Sequence, residues 1–261
     1  MTEKLIRTDK GYIAYLKLND NPANSLSSEL MGAIQAELTE IDKNSSIRVV
    51  VFESASEKIF CSGHSLTEVK GMMSDKDVQA QEKLFAQCSM MMKQIQQISK
   101  PVIAKVRGVA TAAGNQLVAS CDLAYGSEDS RYALPGANIG LFCHTPQVAV
   151  SRTIGRKATM EMLLSGEMIN SAKAEKIGLI NKVVSSTDLD SEVEKVCETI
   201  SQKSAEVIAQ GKKSFYRQIE MGLSDAYNAT SQNMVKNLEL NDANEGISSF
   251  LEKRKPEWTN D

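Results

Sequence analysis

The chain has 261 residues, 42% hydrophobic and 24% charged, with a net charge of -3. That length suffices for one large domain, or one domain with an appendage, and its scattered basic residues offer no long-range attraction to nucleic acid or an anionic membrane. No apolar run approaches the roughly 20 residues of a membrane span, and the first residues, M-T-E-K-L-I-R, lack a signal peptide's apolar core, so this reading places the protein in the cytoplasm.

Tyr12 to Leu18 alternates as a strand and runs into the turn cluster Asp20 to Asn24. Ser27 caps a helix whose apolar positions Leu30, Met31, Ile34, Leu38 and Ile41 recur at helical spacing, with Glu29 in the first turn where its charge suits the dipole. Arg48 to Glu53 is a continuous apolar run, the pattern of a strand covered on both faces. Ile59 to Leu66 reads as a strand end broken at Gly63, and the loop there is one candidate site. A long amphipathic helix covers Asp77 to Ile98, its methionines at 90 to 92 reading as adaptable packing.

Pro101 to Asp122 is the stretch on which the rest depends. Val102 to Arg107 alternates as a short strand, Gly108 ends it, and Ala112, Ala113 and Gly114 lead into an apolar helix. A strand passing through a glycine turn into a helix leaves N–H groups unpaired at the helix start, preorganised for negative charge. Small side chains let a ligand oxygen approach them. The same residues also suit a close-packed corner that binds nothing.

Downstream, Asp122 to Tyr125 and Arg131 to Ala133 read as strands, Pro135 to Thr145 as a glycine-bearing loop, and Pro146 opens a helix to Ile154. Short helices at Ala158 to Leu164 and Ser171 to Ile177 precede a strand at Ile180 to Val184. From Asp188 on only helical segments appear: Leu189 to Ser201, Ala205 to Met221, Ser224 to Glu239 and Glu245 to Lys253. The expected architecture is a mixed α/β core, residues 1–187, carrying a helical module, residues 188–261. Cys61, Cys88, Cys121, Cys143 and Cys197 form no C-x-x-C pair, and His64 and His144 are the only histidines, so neither a disulfide framework nor a zinc site is indicated.

Ordered motifs add what periodicity does not. They are P-A-N-S-L at 22 to 26, F-C-S-G-H-S-L at 60 to 66, K-P-V-I-A-K-V-R-G-V-A-T-A-A-G-N-Q-L at 100 to 117, C-D-L-A at 121 to 124, I-G-R-K-A-T-M-E-M-L-L-S-G-E at 154 to 167, A-E-K-I-G-L-I-N-K-V-V at 174 to 184 and E-G-I-S-S-F-L-E-K-R-K-P at 245 to 256. Through them the chain resembles the crotonase, or enoyl-CoA hydratase/isomerase, superfamily over essentially its whole length. The wording S-G-H, V-A-T-A-A-G and G-L-F-C is most similar to the subgroup called enoyl-CoA hydratase domain-containing protein three.

The resemblance implies a spiral of strand-strand-helix units with a C-terminal helical module that assembles trimers or dimers of trimers. It implies an acyl-coenzyme A thioester as ligand, coenzyme A entering as part of the substrate and no other cofactor. Two backbone N–H groups, at the positions of His64 and Ala113, bind the thioester oxygen in the family pattern. Each such donor can lower an enolate-forming barrier by roughly 3 to 4 kcal/mol. Ala23, Ser62, His64, Ser65 and Leu66 match coenzyme-lining positions, and Phe250 and Lys253 match residues that approach the adenine and phosphate in the trimer.

The departures bear on chemistry. A hydratase of this family uses two glutamates, where this chain has Gln116 and Gly136. Gln116 can hold a water but exchanges no proton near neutral pH, and Gly136 can do neither. Glutamate at both positions would restore the pair if the backbone at 136 accepts a side chain. Other members place an acid or nucleophile near Cys143 and His144, and histidine suits acid/base work at neutral pH. A structural histidine fits His144 equally, and His64 can simply line the coenzyme path. Ser65 replaces the aspartate most members carry.

A dinucleotide oxidoreductase needs G-x-G-x-x-G at its first strand-helix turn, which Gly108 and Gly114 do not provide. A serine hydrolase needs G-x-S-x-G, which G-H-S-L does not match. The contest is between an acyl-CoA enzyme with altered acid/base groups and a non-catalytic acyl-CoA binder.

Overall fold

The computed structural model describes residues 3–259, so the last two residues of the expected 188–261 module lie outside it. Two sheets are wound side by side. The larger contains β1 (Leu5–Lys10), β2 (Ile13–Leu18), β3 (Val49–Ser54), β5 (Val102–Val106), β7 (Leu123–Ser127) and β10 (Lys182–Val184), hydrogen-bonded in that order. The smaller contains β4 (Ile59–Cys61), β6 (Val109–Thr111), β8 (Arg131–Ala133) and β9 (Ile169–Asn170). From β3 to β8 each successive pair of strands adds one to each sheet, in parallel, which is the expected spiral.

Helices fill the turns of the spiral: α1 (Ser28–Lys43), α2 (Leu66–Ser74), α3 (Val78–Gln97), α4 (Ala113–Ser120), α5 (Pro146–Thr153), α6 (Arg156–Ser165) and α7 (Ser171–Lys176). The tail is α8 (Leu189–Ser201), α9 (Ala205–Gln218), α10 (Leu223–Leu238) and α11 (Asn241–Leu251). The cap of α1 forms as its sequence dictates, the Ser27 hydroxyl accepting from the N–H of Leu30 at 3.3 Å. Its five periodic apolar side chains are all buried.

Strand β3 explains why its sequence is continuously apolar. Val50 and Phe52 enter the main core, while Val49 and Val51 meet Leu189, Val193 and Cys197 of α8 on the opposite face. Burying each such large side chain contributes about 1.5–3 kcal/mol. Three strands are absent from the sequence reading, one of them, β9, being only two residues long. Only Leu5 of β1 is buried, so its apolar signal is faint. A second short strand, β6, stands between Gly108 and the helix, because Gly108 (φ 66°) turns the chain from one sheet into the other. A Cβ there would meet the Lys58 carbonyl oxygen at 2.1 Å, so only glycine fits.

The tail is anchored by a polar cluster. The Lys212 ammonium donates to the carbonyls of Ile95 and Lys100 and to the Asp122 carboxylate, each within 2.9 Å. Asp122 also accepts from the Tyr216 hydroxyl and from the N–H of Val102, tying α9 to the entry of β5. By contrast, α9 and α10 bury no residue completely. Phe215, Leu223, Tyr227, Met234 and Phe250 stand more than half exposed.

Candidate active site

Two chain reversals meet where β4 and β6 end. After β4, the N–H of Ser62 donates to the carbonyl of Ala23 at 3.1 Å, and the Gly63 carbonyl accepts from Leu26 at 2.7 Å. After β6, the N–H of Ala112 donates to Ala133, and the Thr111 hydroxyl donates to the Ser62 carbonyl, lashing one reversal to the other. Glycine permits the contact. A Cβ on Gly63 (φ 99°) would lie 2.9 Å from the Cβ of Ala112 and 3.1 Å from the nitrogen of Ala113. One on Gly114 would lie 2.1 Å from the carbonyl oxygen of Cys61.

Ala112 itself adopts φ 50° and ψ -120°, a conformation L-residues avoid, at a cost of roughly 1–3 kcal/mol. That twist starts α4 at Ala113, whose N–H, as the first of a helix, has no intrahelical acceptor. Among the described residues, no backbone bond outside the helices and strands uses the N–H of His64 or of Ala113.

Both residues border a cavity of about 870 Å³. Leu66, Val69 and Met73 of α2, Phe85 of α3, and Ile139 and Phe142 of the segment after β8 line it with apolar side chains. Ser62, Ala112, Cys143 and His144 also line it. The sequence reading missed the α2 wall. The signal was present: Leu66, Val69 and Met73 stand at i, i+3 and i+7 behind Ser65. Ser65 caps that helix, its hydroxyl accepting from the N–H of Glu68 at 3.3 Å.

The His64 ring meets Phe85 edge-on at 5.2 Å, and its Nε2 finds no hydrogen-bond partner among the described residues. Burial lowers its pKa below the ordinary 6.5, with Glu68 opposing. A depressed histidine pKa means the unfolded chain takes up the proton first. Stability therefore falls as pH drops through 6.5 and levels off below the folded-state pKa. Urea midpoints measured between about pH 7 and pH 5 should fall less in His64→Phe than in the parent. Parallel curves would exclude His64 as the cause.

Segment 135–146 departs most from expectation. It opens with a 3-10 turn, Pro135–Ile139, and doubles back so that the N–H of Leu141 donates to the Gly136 carbonyl at 3.0 Å. Gly136 is not held by a positive φ. Space holds it: a Cβ would sit 2.2 Å from the Leu141 carbonyl oxygen and 2.9 Å from the Cys143 sulfur. The Cys143 thiol is raised by burial, an effect partly offset by the Gly136 amide. His144 packs its ring against Phe142 at 5.3 Å.

Gln116 is buried and accepts weakly from the Cys88 thiol at 3.9 Å. It lines a different cavity, bordered by α3, α5 and α9, and not the one that holds His64, Gly136 and His144. Nor does one chain bring Phe250 to that cavity; Phe250 borders a separate pocket with Trp258 and Met234. Lys253 lines neither.

The two-sheet spiral with its helical tail is the crotonase fold. The chain belongs to the enoyl-CoA hydratase/isomerase family, whose pattern matches residues 8–261. It is 42% identical over 255 residues to the Xenopus laevis protein named enoyl-CoA hydratase domain-containing protein 3, mitochondrial, covering 98% of this chain and 85% of that one. A crystal structure described as an enoyl-CoA hydratase of Mycobacterium smegmatis superposes with a TM-score of 0.93 at 43% identity, covering 98% of this chain and 99% of that chain. The crystal structure of human enoyl-CoA hydratase domain-containing protein 3 gives 0.94 at 38% identity, covering 98% and 100%.

These relatives correct the cytoplasmic expectation, because the Xenopus protein and its rat and human counterparts are named as mitochondrial. Composition could not have told, since a receptor-read address leaves no mark on the charge or core of the domain it delivers.

Proposed function

We propose that the protein binds an acyl-coenzyme A thioester with the carbonyl oxygen on the N–H groups of His64 and Ala113. The observation that supports this most directly is the pair of amides, without backbone acceptors, at an apolar-walled cavity in a chain of this family. Amides fixed in a shielded site stabilise negative charge developing on that oxygen, so enolate-forming chemistry is the step they favour. Ala23 and Ser62 brace the reversal, and Ser65 and Leu66 open the α2 wall along which the coenzyme would lie. The candidates for proton transfer are Cys143 and His144, which line the cavity. With its pKa raised, the Cys143 thiol serves as a proton donor and not as a thiolate nucleophile.

Hydration is the part of the family's chemistry this site supports least. Gln116 cannot relay a proton and faces elsewhere, and Gly136 has no room for a carboxylate. A missing general acid/base typically costs ~100 to 10,000-fold. Crotonyl-CoA hydration, followed by the loss of enoyl-thioester absorbance, is expected to run well below the ~10⁴ M⁻¹s⁻¹ floor of ordinary enzymes. An ordinary rate would show that other residues carry the protons, and a further loss on His144→Ala would name one. The same two observations favour a second reading, a binder of acyl-CoA that performs no proton transfer.

Residues 188–261 are proposed to mediate trimerisation, supported by the exposed apolar side chains of α9 to α11. Assembly would bring Phe250 and Lys253 of one copy toward the coenzyme site of another. Sedimentation as a trimer or its multiple at micromolar concentration is expected, and a monomer that still binds coenzyme A thioesters would end the idea.

A further inference from the structure

Gln116 lines a second cavity of about 790 Å³ formed by α3, α4, α5 and α9. We propose that it receives the far end of the acyl group and that this end is anionic, making the substrates acyl-CoA thioesters with a terminal carboxylate. This deepens the thioester reading above and rests on it.

Position supports the link between the two cavities. Thr145, at the start of α5, lines both of them. Gln116 stands one helical turn beyond Ala113, so a chain held by its thioester oxygen on Ala113 has the second cavity across α4. Buried Met92 and Ala149 give that cavity apolar walls suited to methylenes.

Charge supports the carboxylate. Lys93 of α3, Arg152 of α5, and Lys213 and Arg217 of α9 all line this one cavity. Glu220 is the only carboxylate among the lining residues, and it is taken by Arg152 at 2.8 Å. Lys93, Lys213 and Arg217 form no ion pair among the described residues. Such a local excess of positive charge, in a chain whose net charge is -3, is the field that selects an anion. The buried Gln116 amide and Ser120 hydroxyl add neutral polar groups at the same cavity. A methyl-ended chain would leave the three cations facing only water, whereas a carboxylate accepts charge-assisted hydrogen bonds from them.

Calorimetric titration of the full chain tests the idea with matched thioesters, adipoyl against hexanoyl and suberoyl against octanoyl, with free coenzyme A as a third arm. One carboxylate-ended member is expected to bind about tenfold tighter than its methyl-ended partner, and the preference should shrink in high salt. The double variant Lys213→Ala/Arg217→Ala should abolish the preference while free coenzyme A binds as before. Lys93→Ala, on a different helix, should lower it independently, which covers failure of the double variant to fold. Equal affinity for both members of each pair overturns the proposal. So does a preference that survives these variants, or a loss that falls equally on free coenzyme A, which would put the nucleotide phosphates at these cations. If methyl-ended thioesters bind and the pairs do not differ, only this inference falls; if no thioester binds, the thioester reading falls with it.

Discussion

Gly136→Glu, alone or together with Gln116→Glu, is expected to destabilise the protein by about 3 kcal/mol or more and to create no hydratase. Placing glutamate at both positions is the change that the resemblance to hydratases invites. The structure denies it, because the first atom of any side chain at 136 lands 2.2 Å from the carbonyl oxygen of Leu141, which is backbone and cannot rotate away. Relief would mean opening the turn closed by the Leu141 N–H on the Gly136 carbonyl and moving Cys143 off the glycine. Even Gly136→Ala should carry most of the penalty, since the collision is with Cβ itself. Urea unfolding monitored by circular dichroism measures the cost, and crotonyl-CoA absorbance measures any hydration gained. A double variant that unfolds at the parental midpoint and hydrates crotonyl-CoA would refute this account of the loop.

Ala113→Pro should lower enolate-forming turnover by about 10² to 10³, the usual consequence of losing one oxyanion donor, at some cost in stability because Ala112 already holds a positive φ before it. The position makes the variant informative. Ala113 is the first residue of α4, where proline's fixed φ suits a helix and its missing N–H breaks no intrahelical bond. The amide removed is one of the two proposed to meet the thioester oxygen. Exchange of the acyl α-proton for deuterium, followed by NMR, reads the enolate step without assuming what comes after it. If the protein only binds, the same substitution should weaken thioester affinity with free coenzyme A little changed. A folded Ala113→Pro protein with parental exchange and parental affinity would remove Ala113 from the site.

Local pattern determined a good deal about this protein. The cap and apolar spacing of α1, the amphipathic run of α3, the continuous run of β3 and the unbroken helical tail depend on periods of 3.6 and 2 that a few neighbouring residues express. Motif resemblance supplied the expectation that His64 and Ala113 act as a pair. Weak local signals hid the rest: β1 buries one side chain, and β6 is three residues folded back by Gly108. Tertiary structure alone decided that Gly63 and Ala113 lie against each other, that Gln116 turns to a cation-lined cavity, and that Gly136 has no space for a side chain. The approach of Gly63 to Ala113 spans some fifty residues of sequence and is set by the parallel pairing of β4 with β6, so no window of sequence contains it. Gly136 and Leu141 are close in sequence, yet the collision depends on how their loop closes, a backbone path that residue types alone did not specify.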